Sequence, residues 1–321
     1  MQAIIRIINK VWVYGLLYSY REVLWRCFGI SRIRISLREY LNYEKECNGI
    51  YAFISLFNLL KFVYFRTNYS FANQKVLEVG GSKLPYDILF NKLKVSNWTC
   101  VDYLEYWNPD SISDNIYNNE FIISPLDKDS RPFHDECSYL KYHGDANDIP
   151  DTFNEQFDSV VSINCFEHIF NLEEVLIKCY KALKSGGVLY AHFSPIWSSQ
   201  YGHHYFYSDE YNFTKCQRDG IPPYIHLLHS EEEIRKILVD KIPDEAINNF
   251  CRYCFQEPPY VVNKLFFEDY EKLLANSLFS KYTIIPFTTC ISSETKRSLS
   301  LLYPSYRKFN ANGMFIVAYK K

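Results

Sequence analysis

Lys75-Val-Leu-Glu78-Val-Gly80-Gly81-Ser82-Lys83-Leu84-Pro85 reads as a buried strand that runs into a glycine turn. Gly80 and Gly81 carry no Cβ, so the chain bends sharply there and its backbone approaches a ligand closely. Ligands of open parallel sheets bind beyond the carboxyl ends of the strands, where the strand order reverses. Taken alone the stretch has low specificity, because a strand followed by Gly-Gly recurs by chance.

Downstream, short apolar runs alternate with helical segments, the pattern of βαβ units on a parallel sheet. Strands are expected over 75–79, 98–102, 139–142, 157–163 and 187–193, then again over 282–289 and 313–319. A helix over 171–183 places Leu172, Val175, Leu176, Cys179 and Leu183 on one face. Lys184-Ser185-Gly186-Gly187 should end it with a left-handed glycine cap. A helix over 294–303 fits between the last two strands, as a closing antiparallel edge requires. The segment 106–137 is long and polar, and reads as a lid or a surface excursion.

Three further strand ends carry polar groups. Asp102 ends the second strand, where a carboxylate accepts from both hydroxyls of a ribose at about 1.5–3 kcal/mol per charge-assisted bond. Gly144-Asp145-Ala146 follows the third strand and sets Asp145 where it accepts from an exocyclic amine such as that of adenine. Phe157-Asp158-Ser-Val-Val-Ser-Ile-Asn164-Cys-Phe-Glu167-His168 runs off the fourth. Each acid by itself reads equally well as a helix cap or a surface carboxylate. In order, at successive strand ends, the functional reading prevails.

The ordered set VLEVGG, CVDY, GDANDIP, FDSVVSINCFEHI and LKSGGVLY resembles the class I S-adenosylmethionine-dependent methyltransferases over about 75–195, and the closing strands extend the likeness to 282–320. That resemblance implies an α/β, Rossmann-like sheet, mostly parallel with an antiparallel closing strand, and S-adenosylmethionine as cofactor. It implies that Glu78, Gly80 and Gly81 hold the methionine end, with Ser82 in the same loop, and that Asp102 holds the ribose beside Tyr103. Asp145 and Ala146 would face the adenine, and Asn164 would border the sulfonium. Ser82 and Leu84 stand where the family usually carries glycine, which leaves the path of the loop open. A nicotinamide-dependent reductase would need G-x-G-x-x-G, and the stretch from Gly80 to Pro85 lacks both later glycines.

Five of the eight histidines fall between His192 and His229. The run Ser194-Pro-Ile-Trp197-Ser-Ser-Gln-Tyr201-Gly-His203-His204-Tyr205-Phe206 follows the fifth strand, where the fold overhangs the transferable methyl. His203 and His204 are candidate general bases, since an unperturbed imidazole titrates near 6.5. Trp197, Tyr201 and Tyr205 offer flat faces for a sugar ring or an aromatic acceptor, and His168 is a further acceptor-side candidate. The competing reading is an aromatic cluster that packs an insertion around structural histidines, with Glu167-His168 only orienting a loop. His226 and His229 have a metal-ligand spacing, but no carboxylate cluster joins them, so no metal is expected.

SPIWSS…GHHYF together with LLYPSYRKFNANGMFIVAYKK also resembles methyltransferases associated with bacterial surface-polysaccharide synthesis. This implies O-methylation of a sugar hydroxyl on a cell-surface glycan or its precursor. The alternatives are a small-molecule enzyme with an aromatic or amine acceptor, and a non-catalytic scaffold of the same fold.

The 321 residues are 48% apolar, enough for one full α/β core with appended material. The expected organisation is a helical region over 1–70, a cofactor-binding core over 71–195, a substrate-side insertion over 196–280 and closing strands over 281–321. A net charge of −2 gives no electrostatic footprint for nucleic acid. Ten scattered cysteines suit the reduced thiols of a cytoplasmic protein, and the CxxC of Cys251 and Cys254 has no second pair. Near the start, Arg6, Lys10, Arg21, Arg26, Arg32, Arg34 and Arg38 are interspersed with isoleucine, valine, leucine and tryptophan. The uncharged run over 11–20 is far shorter than the ~20 residues of a membrane span, and no small-residue cleavage site follows it. Residues 1–40 therefore read either as helices packed on the core or on a second copy in a homodimer, or as a basic helix lying peripherally in a membrane interface.

Overall fold

The computed structural model describes residues 70–81, 84, 88–102, 120–123, 138–255 and 262–321. The chain divides between Phe71 and Ala72, and the second unit, Ala72–Lys321, carries the features below. The helices expected over 1–70, with the membrane and homodimer readings of 1–40, lie outside the described residues apart from Ser70. So do Ser82, Tyr103 and most of 106–137.

Eight strands form one sheet: β1 (Lys75–Val79), β2 (Asn97–Asp102), β3 (Glu120–Ile123), β4 (Ser138–His143), β5 (Phe157–Ile163), β6 (Leu183–Phe193), β7 (Lys281–Thr288) and β8 (Ala311–Tyr319). Their order is β3-β4-β2-β1-β5-β6-β8-β7. Pairing is parallel from β3 through β6, and β8 runs antiparallel to both β6 and β7. The chain winds outward from β1 through β2 to β4, then crosses back to β5 and β6, so the order reverses between β1 and β5. A crevice forms beyond the carboxyl ends of strands at such a point. Val76, Leu77 and Val79 of β1, Val160 and Val161 of β5, and Leu189, Ala191 and Phe193 of β6 are buried, as expected of strands covered on both faces.

The structure departs from expectation in three places. β3 lies within the segment read as a lid and extends the sheet beyond β4, pairing Glu120 with Tyr139 through Ile123 with Tyr142. Its four residues, EFII, make too short a run for alternation to register. Second, helix α1 (Leu172–Ala182) has no glycine cap: Leu183 is already extended (φ −70°, ψ 141°) and begins β6. Gly186, with φ +77°, sits inside the strand, in the stretch where the β5–β6 register shifts. The carbonyls of Leu183 and Lys181 accept instead from the Lys320 ammonium, at 2.6 and 3.5 Å.

Third, the segment 196–280 divides between two cores. Trp197, Tyr205, Tyr224 and Phe250 pack together in a lobe with helices α2 (Ile225–Leu228), α3 (Glu231–Leu238) and α4 (Asp244–Phe255). Helix α5 (Phe267–Ala275) belongs to the sheet: Phe267, Tyr270 and Leu274 join Leu77, Val160, Val175 and Leu189. The lobe in turn takes in Leu299 of helix α6 (Ser293–Leu302) and Phe309, both beyond the expected boundary. Cys251 and Cys254 are buried, free thiols of α4, and no described helix is long and apolar enough to cross a membrane.

Candidate active site

The ends of β1, β2, β4 and β5 converge. Gly80, with φ +86°, donates its N–H to the Val101 carbonyl at 2.9 Å, and Gly81 donates to Asp102 Oδ2 at 2.6 Å. The Asp102 carboxylate therefore closes the glycine turn from the neighbouring strand, while the Asp102 carbonyl accepts from Gly144 N–H at 3.1 Å. On the other flank, a Cβ built on Gly80 would stand 2.5 Å from both Cβ and Sγ of Cys165. The turns after β1 and β5 touch so closely that no side chain fits between them. Asn164 there has φ +53° and donates its backbone N–H to the His192 carbonyl at 2.7 Å. Asparagine tolerates that left-handed conformation better than most residues, which is a conformational reason for its presence at this turn.

Two of the acids have a different duty from the one expected. Glu78 is fully buried, and its Oε2 accepts from the Trp98 indole N–H at 2.7 Å. It braces β1 against β2 beneath the turn, rather than standing open to a ligand. Asp145 caps the 3-10 turn Ala146–Asp148: its Oδ1 accepts from the Asn147 backbone N–H at 2.8 Å and from Asn147 Nδ2 at 2.7 Å. The amide oxygen of Asn147 is buried with no partner among the described residues. An unsatisfied acceptor costs about 1–3 kcal/mol. The signal for it in the sequence was a capping aspartate followed two residues later by an amide.

The acceptor-side histidines separate by burial. His203 is 1% exposed inside the lobe, its ring 4.6 Å from Phe250 and 5.0 Å from His226. Its Nδ1 accepts from the Tyr205 N–H at 3.0 Å, and desolvation holds its pKa well below the usual range. This corrects the reading of His203 as a base. Tyr205 is fully buried and Trp197 nearly so, so both build the lobe interior rather than a stacking platform; the partly buried Tyr201 packs on the same cluster. His226 donates its Nε2–H to the Trp197 carbonyl, 2.9 Å away.

His204 stands closer to the strand ends. Its Nε2–H donates to the Pro195 carbonyl at 2.6 Å, its ring stacks on Phe213 at 5.2 Å, and it meets the edge of His168 at 4.9 Å. Burial first, then His168, lowers its pKa to about 3. His204 is therefore neutral in the physiological range, and its Nε2–H is committed to the Pro195 carbonyl, which argues against the second catalytic assignment. His168 keeps 39% of its side chain exposed.

The turn that carries His168 is clamped from behind. Asn263 donates through Nδ2 to the carbonyls of Phe166 (2.8 Å) and Ile169 (2.9 Å), and its own N–H donates to the Glu167 carbonyl at 2.8 Å. Its Oδ1 accepts from the Tyr270 hydroxyl at 3.0 Å. Nothing in the sequence pattern marked Asn263. Among the described residues no group of three or more His, Cys, Asp or Glu is placed to hold a metal ion.

Residues 126–189 match a family model described as a methyltransferase domain, and no curated relative matches the sequence. Among solved structures, the chain is similar to a phosphoethanolamine N-methyltransferase 2 of Haemonchus contortus in complex with S-adenosyl-L-methionine, at 15% identity and TM-score 0.42, covering 90% of this chain and 58% of that one. It is also similar to an S-adenosylmethionine-dependent methyltransferase from Archaeoglobus fulgidus (16%, TM-score 0.42, 88% and 99% covered). A third, from Mesorhizobium loti, stands at 9% and 0.41, with 78% and 93% covered. The chain thus spans a little under three fifths of the Haemonchus enzyme.

Proposed function

We propose that this chain is an S-adenosylmethionine-dependent methyltransferase whose cofactor lies across the ends of β1, β2, β4 and β5. One observation carries the reading: Asp102 closes the glycine turn through Gly81 while Gly80 lies against Cys165, so the four strand ends share one crevice edge. The residues fit the group. The glycine turn offers backbone to the methionine end, Asp102 a carboxylate to the ribose, and the Asp145-Ala146 turn after β4 would border the adenine. When bound, S-adenosylmethionine supplies an electrophilic methyl on a sulfonium.

The protein's share is alignment and proton removal. The turns after β5 and β6 carry His168 and His204, and they are the elements that would meet the acceptor. Positioning of this kind is worth several kcal/mol, and a general base adds on the order of 10²–10⁴ in rate. The acceptor we infer is a sugar hydroxyl of a surface glycan or its precursor, from the likeness of SPIWSS…GHHYF to enzymes of that chemistry. Comparing glycans from a strain with and without the gene by mass spectrometry tests this. One sugar should lose a single methyl group in the deletion strain and regain it on complementation. Unchanged glycans, with methyl transfer to an amine acceptor in vitro, would overturn the sugar assignment.

A further inference from the structure

Glu167 stands directly behind His168 and has no part in the cofactor crevice. Its side chain is 1% exposed, and its Oε1 lies 4.0 Å from His168 Nε2. Backbone N–H groups of Glu167 itself and of Ser194 point at the carboxyl, yet Oε2 is buried with no hydrogen-bond partner among the described residues. A buried carboxylate oxygen left in that state is costly, whereas a carboxylic acid is tolerated there. On its far side His168 meets the ring of His204, which is fixed by Pro195 and Phe213. Among the described residues His168 thus meets a carboxyl and a neutral imidazole, and 39% of its side chain is exposed.

We propose that His168 is the proton acceptor of the site and that Glu167 is its positioning residue, the two side chains forming an electrostatically coupled pair across 4.0 Å. This rests on the methyltransferase reading above. The step is a simple transfer: the acceptor's O–H or N–H bond breaks, its electron pair stays on the oxygen or nitrogen, and the proton joins the His168 ring. It leaves later to water from the exposed side of that ring. Glu167 stabilises the charged ring by charge alone when its carboxyl is ionised, and no second proton moves in the step.

Desolvation raises the Glu167 pKa to about 8, partly opposed by the two backbone N–H groups. The titratable groups that face it are His168 and Cys165 on its own turn and Tyr270 on α5. Burial pushes both the Cys165 thiol and the Tyr270 hydroxyl upward, so neither carries charge at neutral pH. Among the described residues His168 is faced by Glu167 and by His204, which stays neutral. Oppositely charged partners within about 4–6 Å shift one another by roughly 1–3 units, and groups coupled that strongly titrate as a pair in two steps.

The test is an NMR titration of the His168 ring in the full-length chain, assigned with His168→Gln, in wild type, Glu167→Gln and Glu167→Asp. The wild-type ring should titrate in two steps, the later one near pH 8 where the carboxyl ionises. In Glu167→Gln it should collapse to a single step about one unit lower, and Glu167→Asp should restore part of the second step. A titration curve that is the same in folded wild type and Glu167→Gln would overturn the proposal. Should Glu167→Gln not fold, infrared spectroscopy of the wild type decides. A protonated buried carboxyl band at pH 7, lost above about pH 8 in step with the His168 shift, supports the coupled pair; its absence refutes it. None of these readouts needs cofactor. Calorimetry with S-adenosylhomocysteine on the same samples reports separately whether the methyltransferase reading itself holds.

Discussion

Gly80 is the residue whose replacement the geometry forbids most plainly. Its φ of +86° is disfavoured for any side chain, and a Cβ would overlap Cys165 at 2.5 Å. The left-handed conformation costs about 1–2 kcal/mol and overpacking typically another 1–3. Gly80→Ala should therefore lower unfolding stability by about 2–4 kcal/mol in urea titrations and abolish cofactor binding; a loss under 1 kcal/mol would contradict the packing described. Cys165→Gly in the same background removes the overlap and should recover part of the loss, leaving the conformational share. This turn was legible in the sequence because glycine at a strand end has a conformational meaning of its own. The duties of Glu78, Asp145 and His203 were not legible. A carboxylate that accepts from Trp98 and one that caps Asn147 look the same in sequence as one that awaits a ligand. His203 was misread because its burial depends on Phe250 and His226, which only the folded lobe brings to it.

Among the elements, the turn between β5 and α1 depends on a residue about a hundred positions away. Asn263 holds the carbonyls of Phe166 and Ile169 and accepts from Tyr270. Asn263→Ala strips two donors and an acceptor from a partly buried site, at about 1–3 kcal/mol for each group left unsatisfied. The expected outcome is a loss of at least about 3 kcal/mol in stability, with turnover falling more than cofactor affinity because His168 loses its anchorage while Gly80 and Asp102 keep theirs. Equal loss of turnover and affinity would mean that the clamp supports the whole sheet edge instead. The parallel strands could be read because each is an apolar run with both faces covered. β3 escaped because four residues are too few, and α5 was assigned to the insertion because its apolar face does not say which core it serves. The helix stop was read to within a residue, but its glycine cap was mistaken, because Lys320, from the far end of the chain, reaches the carbonyls there instead.

For the molecule as a whole, the buried histidines set the response to acid. The pKa of His204 is lowered to about 3 and that of His226 to about 4, and His203 is held well below 6.5, all chiefly by desolvation. Below pH 6.5 the unfolded chain takes up protons on these rings that the folded lobe refuses, so stability falls as pH falls. Glu167 acts with the opposite sign: its folded pKa is raised from 4.5 to about 8, so its contribution is lost as pH rises through that range. From these four groups alone, between about pH 4.5 and 6.5 the unfolded state binds a net excess of about two protons, roughly 3 kcal/mol per pH unit. Above 6.5 the slope reverses weakly. Urea denaturation at pH 5, 6.5 and 8 should place the maximum near 6.5, and a curve that rises steadily toward acid would contradict the burial of the three rings.

The crevice at the sheet switch point is the claim on which the rest depends, and calorimetric titration with S-adenosylhomocysteine tests it most directly. Wild-type protein should bind one equivalent. Asp102→Asn, which keeps an acceptor for the Gly81 N–H but loses the charge offered to the ribose, should bind about 10- to 100-fold more weakly, the worth of about 1.5–3 kcal/mol. Absence of heat at high micromolar ligand with folded wild-type protein, or equal affinity in Asp102→Asn, would contradict the account.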